Sequence, residues 1–346
     1  IVNGEASIVD KNHVLCGDET YECDNLLLCT GSETFIPPIP GIDTVPYWTH
    51  RDALDNKELP KSLVVIGGGV IGMEFASFFN SLGVEVTVIE MQDEILGGMD
   101  KELSAMLRAE YAKRGIKFML NTKVVSLDGS TGENGETQVR VNYENAEGTG
   151  FSVAEKLLMS VGRHPVTKGF GLENLNPEKT ERGNIRVDGQ MRTSVPGLYA
   201  CGDLTGFSLL AHTAVREAEV AVHAVLGKKD CMSYRAIPGV VYTNPEIAGV
   251  GDTEEALQKK GIPYRTVKLP MAYSGRFVAE NEGVNGMCKL LLAEDDTVLG
   301  AHVLGNPASE IITLAGMAVE LKLTAAEWKK IVFPHPTVGE IFKEAL

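Results

Sequence analysis

The chain has 346 residues, 44% of them hydrophobic and 23% charged, which is too much chain for one ordinary core and points to a soluble protein of two or three domains. A formal net charge of −15 excludes nucleic acid and an anionic membrane as partners, since both need a basic surface. No apolar run approaches the roughly 18 residues that span a bilayer.

The chain opens on Ile1 rather than Met, with no basic-then-apolar signal pattern, and the expectation is that a segment upstream is missing. Asn25 to Thr30 reads as a buried strand ending at Gly31, and Pro37 to Gly41 as a linker. Leu63-Val64-Val65-Ile66 has the unbroken apolarity of a parallel strand covered on both faces. Val70 to Leu82 reads as a helix closed by Gly83, Val84 to Ile89 as the next strand, and Asp100 to Arg114 as a helix capped by Asp100 and stopped by Gly115. Strands follow at Lys117–Leu120, Gln138–Tyr143 and Val153–Met159, with a hairpin loop over Asp128 to Gly135. A loop-rich segment then leads to a helix near Leu210–Leu226. From about Tyr234 strands (Leu290–Leu292, Ala301–Val303) alternate with helices. The Ala308–Leu321 helix is apolar on more than one face, as at a subunit interface. The six cysteines, Cys16, Cys23, Cys29, Cys201, Cys231 and Cys288, show neither metal spacing nor a close redox pair. They read as reduced thiols of a cytoplasmic protein that holds no metal, with Cys29 and Cys201 as core thiols.

Three motifs carry chemistry. Gly67-Gly68-Gly69-Val70-Ile71-Gly72 follows the apolar strand and opens a helix, and Glu90 stands at the tip of the second strand, 18 positions after Gly72. That context makes it a dinucleotide fingerprint. Gly67 permits the tight turn, Gly69 lets a pyrophosphate approach the backbone, and Gly72 lets helix and strand pack closely. Glu90 would accept the adenosine ribose hydroxyls and repel a 2′-phosphate, so NAD is favoured over NADP. Cys29-Thr30-Gly31-Ser32 and Tyr199-Ala200-Cys201-Gly202-Asp203 are glycine turns at strand ends, and Leu209-Leu210-Ala211-His212 starts a helix. From the residues alone, these are turns with or without a ligand. His335 lies between Pro334 and Pro336, with Glu340 in reach of one ring nitrogen, which suits either a general base or an inert loop histidine.

These motifs, in this order, resemble the class I pyridine nucleotide-disulfide oxidoreductases, and within them the dihydrolipoamide dehydrogenases. The resemblance covers essentially the whole chain and includes Leu28 to Ser32, Gly67 to Glu74, Glu90, Ser160 to Arg163, Cys201 to Asp203, Leu210 to His212, Tyr242 to Glu246 and His335 to Thr337. It implies an α/β fold: a Rossmann-like NAD-binding domain (58–163) inserted in a partial FAD-binding domain (1–57 and 164–233), plus an α+β C-terminal dimerisation domain (234–346). It implies FAD contacts from the backbone at Ala6, from Thr30, Gly31, Ser32 and Asp203, and from Leu209, Leu210, Ala211 and His212. NAD contacts would come from Gly67, Gly68, Gly69, Val70, Ile71, Gly72, Met73, Glu74, Glu90, Val124 and Gly162. His335 would be the general acid/base, oriented by Glu340 and serving the partner subunit of a homodimer.

The implied reaction is oxidation of protein-bound dihydrolipoamide by NAD through a redox disulfide and FAD. The partner would be the lipoyl domain of a 2-oxo acid dehydrogenase or glycine cleavage complex. The family's N-terminal FAD fingerprint and close cysteine pair do not occur in this sequence. The chain is therefore expected to be a fragment of a longer protein, to bind the parent's FAD weakly or not at all, and not to turn over alone. A smaller departure is Glu217-Ala218 where the family often has Glu-Gly; little consequence is expected. Competing identities are glutathione reductase, disfavoured by Glu90 without nearby arginines, mercuric reductase, disfavoured by a tail without cysteines, and coenzyme A-disulfide reductase, disfavoured by the His335–Glu340 pair. A different class is a non-catalytic NAD-binding dimerisation module.

Overall fold

An apolar run with no polar break needs cover on both faces, and the computed structural model, which describes residues 1–132 and 135–346, shows how Leu63 to Ile66 gets it. The chain forms two compact units, residues 1–35 with 163–234 and residues 36–162 with 235–346. In the second unit, four parallel strands lie in the order Lys156–Met159, Ser62–Ile66, Glu85–Ile89, Lys117–Met119. Side chains alternate across them, as the pleat dictates. Leu63, Val65, Val86, Val88 and Leu158 pack with helices Val70–Ser81 and Lys101–Lys113. Val64, Ile66, Ile89, Leu157 and Met159 pack instead on Leu127, Val139 and Val141, from an antiparallel sheet of Lys123–Thr131, Thr137–Asn145 and Gly148–Ala154. Each such buried aliphatic side chain contributes about 1.5–3 kcal/mol.

The helix ends follow their punctuation. Asp100 caps Lys101–Lys113 by accepting from Leu103 N at 3.1 Å, and Gly83 and Gly115 take the positive φ that ends each helix.

Two expectations need correction here. Val153–Met159 is not one strand: the chain bends at Glu155 and passes from the antiparallel sheet to the parallel one. The Glu155 carboxylate accepts from Lys61 N, and its own N–H donates to Ser62 Oγ. Nor is Asp128 to Gly135 all loop, because Asp128 to Thr131 stays paired with Thr137–Asn145; Glu133 and Asn134 of that stretch lie outside the described residues. The Pro37–Gly41 segment starts the second unit and packs on it. A Cβ at Gly41 would stand 1.9 Å from Leu127 O.

The same unit contains a five-stranded antiparallel sheet, ordered Gly239–Val241, Ile247–Gly251, Val298–Leu304, Met287–Leu292, Arg265–Pro270. Helix Ala308–Glu320 buries Ile311, Ile312, Ala315 and Val319 against it, while Leu314, Met317 and Leu321 remain exposed. On strand Met287–Leu292, Lys289 is 0% exposed. Its ammonium meets Asp100 Oδ2 at 2.8 Å, Glu102 Oε2 at 2.9 Å and Glu254 Oε2 at 3.0 Å. Burial alone would push this lysine's pKa down; the hydrogen bonds it donates to the three carboxylates outweigh it and hold the pKa above the usual lysine range.

In the first unit, Ala6–Asp10, His13–Cys16 and Glu19–Glu22 form an antiparallel meander. Leu26–Leu28 pairs in parallel with Leu198–Ala200, and Ser32–Thr34 pairs antiparallel with Arg163–Pro165. Ile8, Leu28, Leu172, Ile185 and Leu198 form one core cluster, and Met191, Tyr199, Val220 and Ala221, the last two from helix Ala211–Val225, form another. Cys201 is a core thiol, but Cys29 is exposed. The strand stops at Leu28 and the chain turns at Gly31, so Cys29 sits beyond the apolar run that hid its neighbours. No helix among the described residues is long and apolar enough to cross a membrane.

Candidate functional site

The glycine turn after Ile66 is closed by backbone, and its three fingerprint glycines differ in what surrounds them. Gly67 has φ +101°, and a Cβ there would lie 2.4 Å from Ser160 O. A Cβ at Gly72 would lie 2.0 Å from Gly67 O and 2.7 Å from Ser160 Oγ. Both positions are therefore occupied by the protein itself. Gly69 is the opposite case: it caps helix Val70–Ser81 in an ordinary extended conformation, and a Cβ there would meet nothing within 4 Å. The turn thus leaves an open cradle at the positive end of a 12-residue helix.

Glu90 reaches this turn from the tip of the neighbouring strand. One carboxylate oxygen accepts from Gly68 N at 2.6 Å and the other from Gln92 N at 2.8 Å. Two lone-pair sites on such a group remain for a ligand's hydroxyls. Val70 is exposed and Ile71 half-buried, whereas Met73 is fully buried and its amide donates to Gly69 O. Glu74 accepts from Tyr242 N at 2.8 Å, and burial pushes its carboxyl up. Val124 is half-buried, and Gly162 is exposed with φ +127°.

In the first unit, Thr30, Gly31, Ser32 and Asp203 come together. Thr30 Oγ1 donates to Val166 O at 2.7 Å, and Gly31 O accepts from Val166 N at 3.0 Å. Ser32 Oγ donates to Asp203, and Arg163 donates from Nε to Ser32 Oγ at 2.6 Å and from Nη2 to Ser32 O at 2.5 Å. Leu209 is exposed and Leu210 half-buried, while Ala211 and His212 are exposed at the start of a helix that has no side-chain cap at Leu210. Ala6 is exposed at the start of its strand.

At the C-terminal end, His335 Nδ1 stands 3.0 Å from Glu340 Oε1 and 3.2 Å from Oε2. The carboxylate is fixed in turn by Thr337 N, which donates to Oε2 at 2.7 Å and, with His335, holds Glu340 below the usual glutamate range. Nε2 makes no hydrogen bond among the described residues, and the side chain is 81% exposed. Beside it runs an apolar groove of 630 Å³ lined by Ile311, Leu314, Met317, Trp328 and Val332.

Two residues that act on these turns entered the sequence analysis only through the resemblance, without a role. Ser160 Oγ donates to Ile66 O and Gly67 O at 3.0 and 2.9 Å, locking the dinucleotide turn. Glu217, fully buried on helix Ala211–Val225, accepts from Gly202 N at 2.6 Å and from Tyr234 OH at 2.5 Å, and so fixes the turn that offers Asp203. The signal that could have given it a role is a glutamate three and four positions before Val220 and Ala221, on the apolar face of a helix.

Residues 1–218 match the pyridine nucleotide-disulphide oxidoreductase family, and residues 237–346 match that family's dimerisation domain. The human mitochondrial dihydrolipoyl dehydrogenase is 38% identical over 99% of this chain and 68% of its own length. The dihydrolipoyl dehydrogenase of Geobacillus stearothermophilus is 38% identical over 100% of this chain and 73% of its own. Among solved structures, the HOCl-induced flavoprotein disulfide reductase RclA from Escherichia coli matches with a TM-score of 0.88 and 28% identity, over 99% of this chain and 78% of that one. LpdA from Mycobacterium tuberculosis matches with a TM-score of 0.86 and 28% identity, over 99% and 75%.

Proposed function

The chain belongs to the pyridine nucleotide-disulphide oxidoreductase family, and from that premise we propose that it works in a dihydrolipoyl dehydrogenase, oxidising protein-bound dihydrolipoamide with NAD. The observation that carries this reading is the glycine turn, closed at Gly67 and Gly72 and open at Gly69. A pyrophosphate there would meet bare amides and the helix dipole. Glu90, hydrogen-bonded to the same turn, would take the ribose hydroxyls and disfavour a 2′-phosphate. Gly68, Val70, Ile71, Met73, Glu74, Val124 and Gly162 would line the rest of the dinucleotide.

Two substitutions separate structure from binding. Gly72→Ala is expected to destabilise the second unit by about 3 kcal/mol, because its methyl group collides with backbone. Gly69→Ala is expected to leave stability within about 0.5 kcal/mol and to weaken NADH by about tenfold, or ~1.4 kcal/mol. Urea unfolding and fluorescence titration of the two variants check this.

Thr30, Gly31, Ser32 and Asp203, with Leu209, Leu210, Ala211, His212 and the Ala6 backbone, would hold the flavin. When bound, FAD and NAD supply the two-electron relay between thiols and nicotinamide. The chain's own chemistry is proton transfer. Glu340 accepts from His335 Nδ1–H, which leaves Nε2 as the base. Nε2 removes a proton from a dihydrolipoamide thiol, and the resulting thiolate is the nucleophile in thiol–disulfide exchange.

The working unit in this reading is a homodimer, formed by burying the Leu314–Met317–Val332 groove, with His335 serving the partner subunit. The lipoyl domain of a 2-oxo acid dehydrogenase or glycine cleavage complex would bring the substrate. The division that suits this is a flavin domain at 1–57 and 164–233, an NAD domain at 58–163 and an interface domain at 234–346. A reducing compartment such as the cytoplasm suits six free thiols. The test is turnover of the enzyme that contains this chain. Dihydrolipoamide oxidation by NAD should exceed glutathione disulfide reduction by NADPH by about a hundredfold; the reverse order would assign the chain to a glutathione-type reductase.

A further inference from the structure

Cys29 and Cys201 are 172 residues apart in sequence, yet their sulfurs lie 3.3 Å apart. The parallel register explains the meeting. Leu26, Leu27 and Leu28 pair with Leu198, Tyr199 and Ala200, so each cysteine is the next residue past its strand, opposite the other. Cys201 N also donates to Leu28 O at 3.1 Å, which holds the two strand ends together. The two thiols are in different surroundings. Cys29 is exposed, whereas Cys201 is 3% exposed beside the buried Glu217 network.

We propose that Cys29 and Cys201 form a dithiol that hydrogen peroxide oxidises to a disulfide, with Cys29 as the attacking sulfur and Cys201 as the resolving one. It is independent of the dinucleotide turn and of His335, and holds whether or not the proposed function does. In the first step the Cys29 thiolate attacks a peroxide oxygen and the O–O bond breaks. With one proton taken up, the products are a sulfenic acid and water. In the second step the Cys201 sulfur attacks the sulfenic sulfur, the S–O bond breaks, and the Cys201 proton leaves with the oxygen as a second water. Overall, two thiols lose two hydrogens and the peroxide becomes two waters.

Charge favours this order of attack. A hydrogen bond from the Cys201 S–H holds the Cys29 thiol down to about 7, despite partial burial. The same hydrogen bond to the Cys29 sulfur, together with burial and the charges of Cys29 and Glu217, pushes Cys201 up. Closing the bond needs the sulfurs to approach by roughly 1.2 Å, to the usual ~2.05 Å. The new link would tie the Thr30–Ser32 turn to the Gly202–Asp203 turn.

The experiment treats the whole chain with equimolar hydrogen peroxide, counts free thiols and maps linked peptides. The expected result is loss of two of the six thiols, a single linked pair joining Cys29 to Cys201, and full recovery with dithiothreitol. Cys29→Ser should give no such link. In Cys201→Ser, dimedone should capture a sulfenic acid on Cys29. In urea the preference for this pair should disappear. If the native wild-type chain first links other cysteines, or dimedone captures Cys29 while Cys201 stays reduced, the proposal is overturned.

Discussion

Lys289→Met is expected to destabilise the second unit by about 3–5 kcal/mol, the range for removing one partner from a buried ion pair. The ammonium has three N–H groups, and each finds a carboxylate, from Asp100, Glu102 and Glu254. Methionine keeps most of the stem but leaves three acids facing one another, with Asp100 at 1% exposure. Asp100 also caps helix Lys101–Lys113, so the loss should reach the layer beside the parallel sheet. Glu102→Gln and Glu254→Gln should cost less, since these groups are 39% and 22% exposed and water can replace part of what is lost. Urea unfolding of the three variants measures the order. A Lys289→Met loss below about 1 kcal/mol would mean that water already screens the cluster.

His335→Ala is expected to lower turnover with dihydrolipoamide by about 10²–10⁴-fold, the usual worth of a positioned general base. The side chain is 81% exposed, so stability should stay within about 0.5 kcal/mol of the parent. NADH affinity should be unchanged, because the histidine is not part of the glycine turn. Glu340→Gln should lower turnover less, since the base remains but the group that accepts from Nδ1 is weakened. Steady-state rates, with NADH titration as the control, separate these outcomes. A His335→Ala enzyme with full thiol turnover would remove this residue from the chemistry.

What could be read from the sequence was local. Strand, glycine turn and helix from Leu63 to Gly83 follow one another without a gap, so spacing alone defines the unit. Asp100 and Gly115 mark helix ends for the same reason, and His335 and Glu340 are five positions apart. Contacts between elements far apart in sequence are not written in spacing. Cys29 meets Cys201 across 172 residues, and Lys289 meets Asp100 across 189. Neither pair has a motif: the first depends on which strand lies beside which, the second on a helix start packing against a strand. Val153–Met159 reads as one strand because apolar residues stand on both sides of Glu155 and Lys156. The turn there is made by hydrogen bonds to Lys61 and Ser62, on a distant strand. Met73 falls inside the fingerprint helix, but helical phase turns it into the core.

Titration of NADH and NADPH against the native chain and the Glu90→Ala variant, with binding read by fluorescence, measures what the Glu90 carboxylate does for the dinucleotide. The native chain should prefer NADH. Glu90→Ala should weaken NADH by about 1.5–3 kcal/mol, the worth of hydrogen bonds to a charged group, and should narrow the gap to NADPH. An NADH affinity that is the same with and without the Glu90 carboxylate would contradict the account.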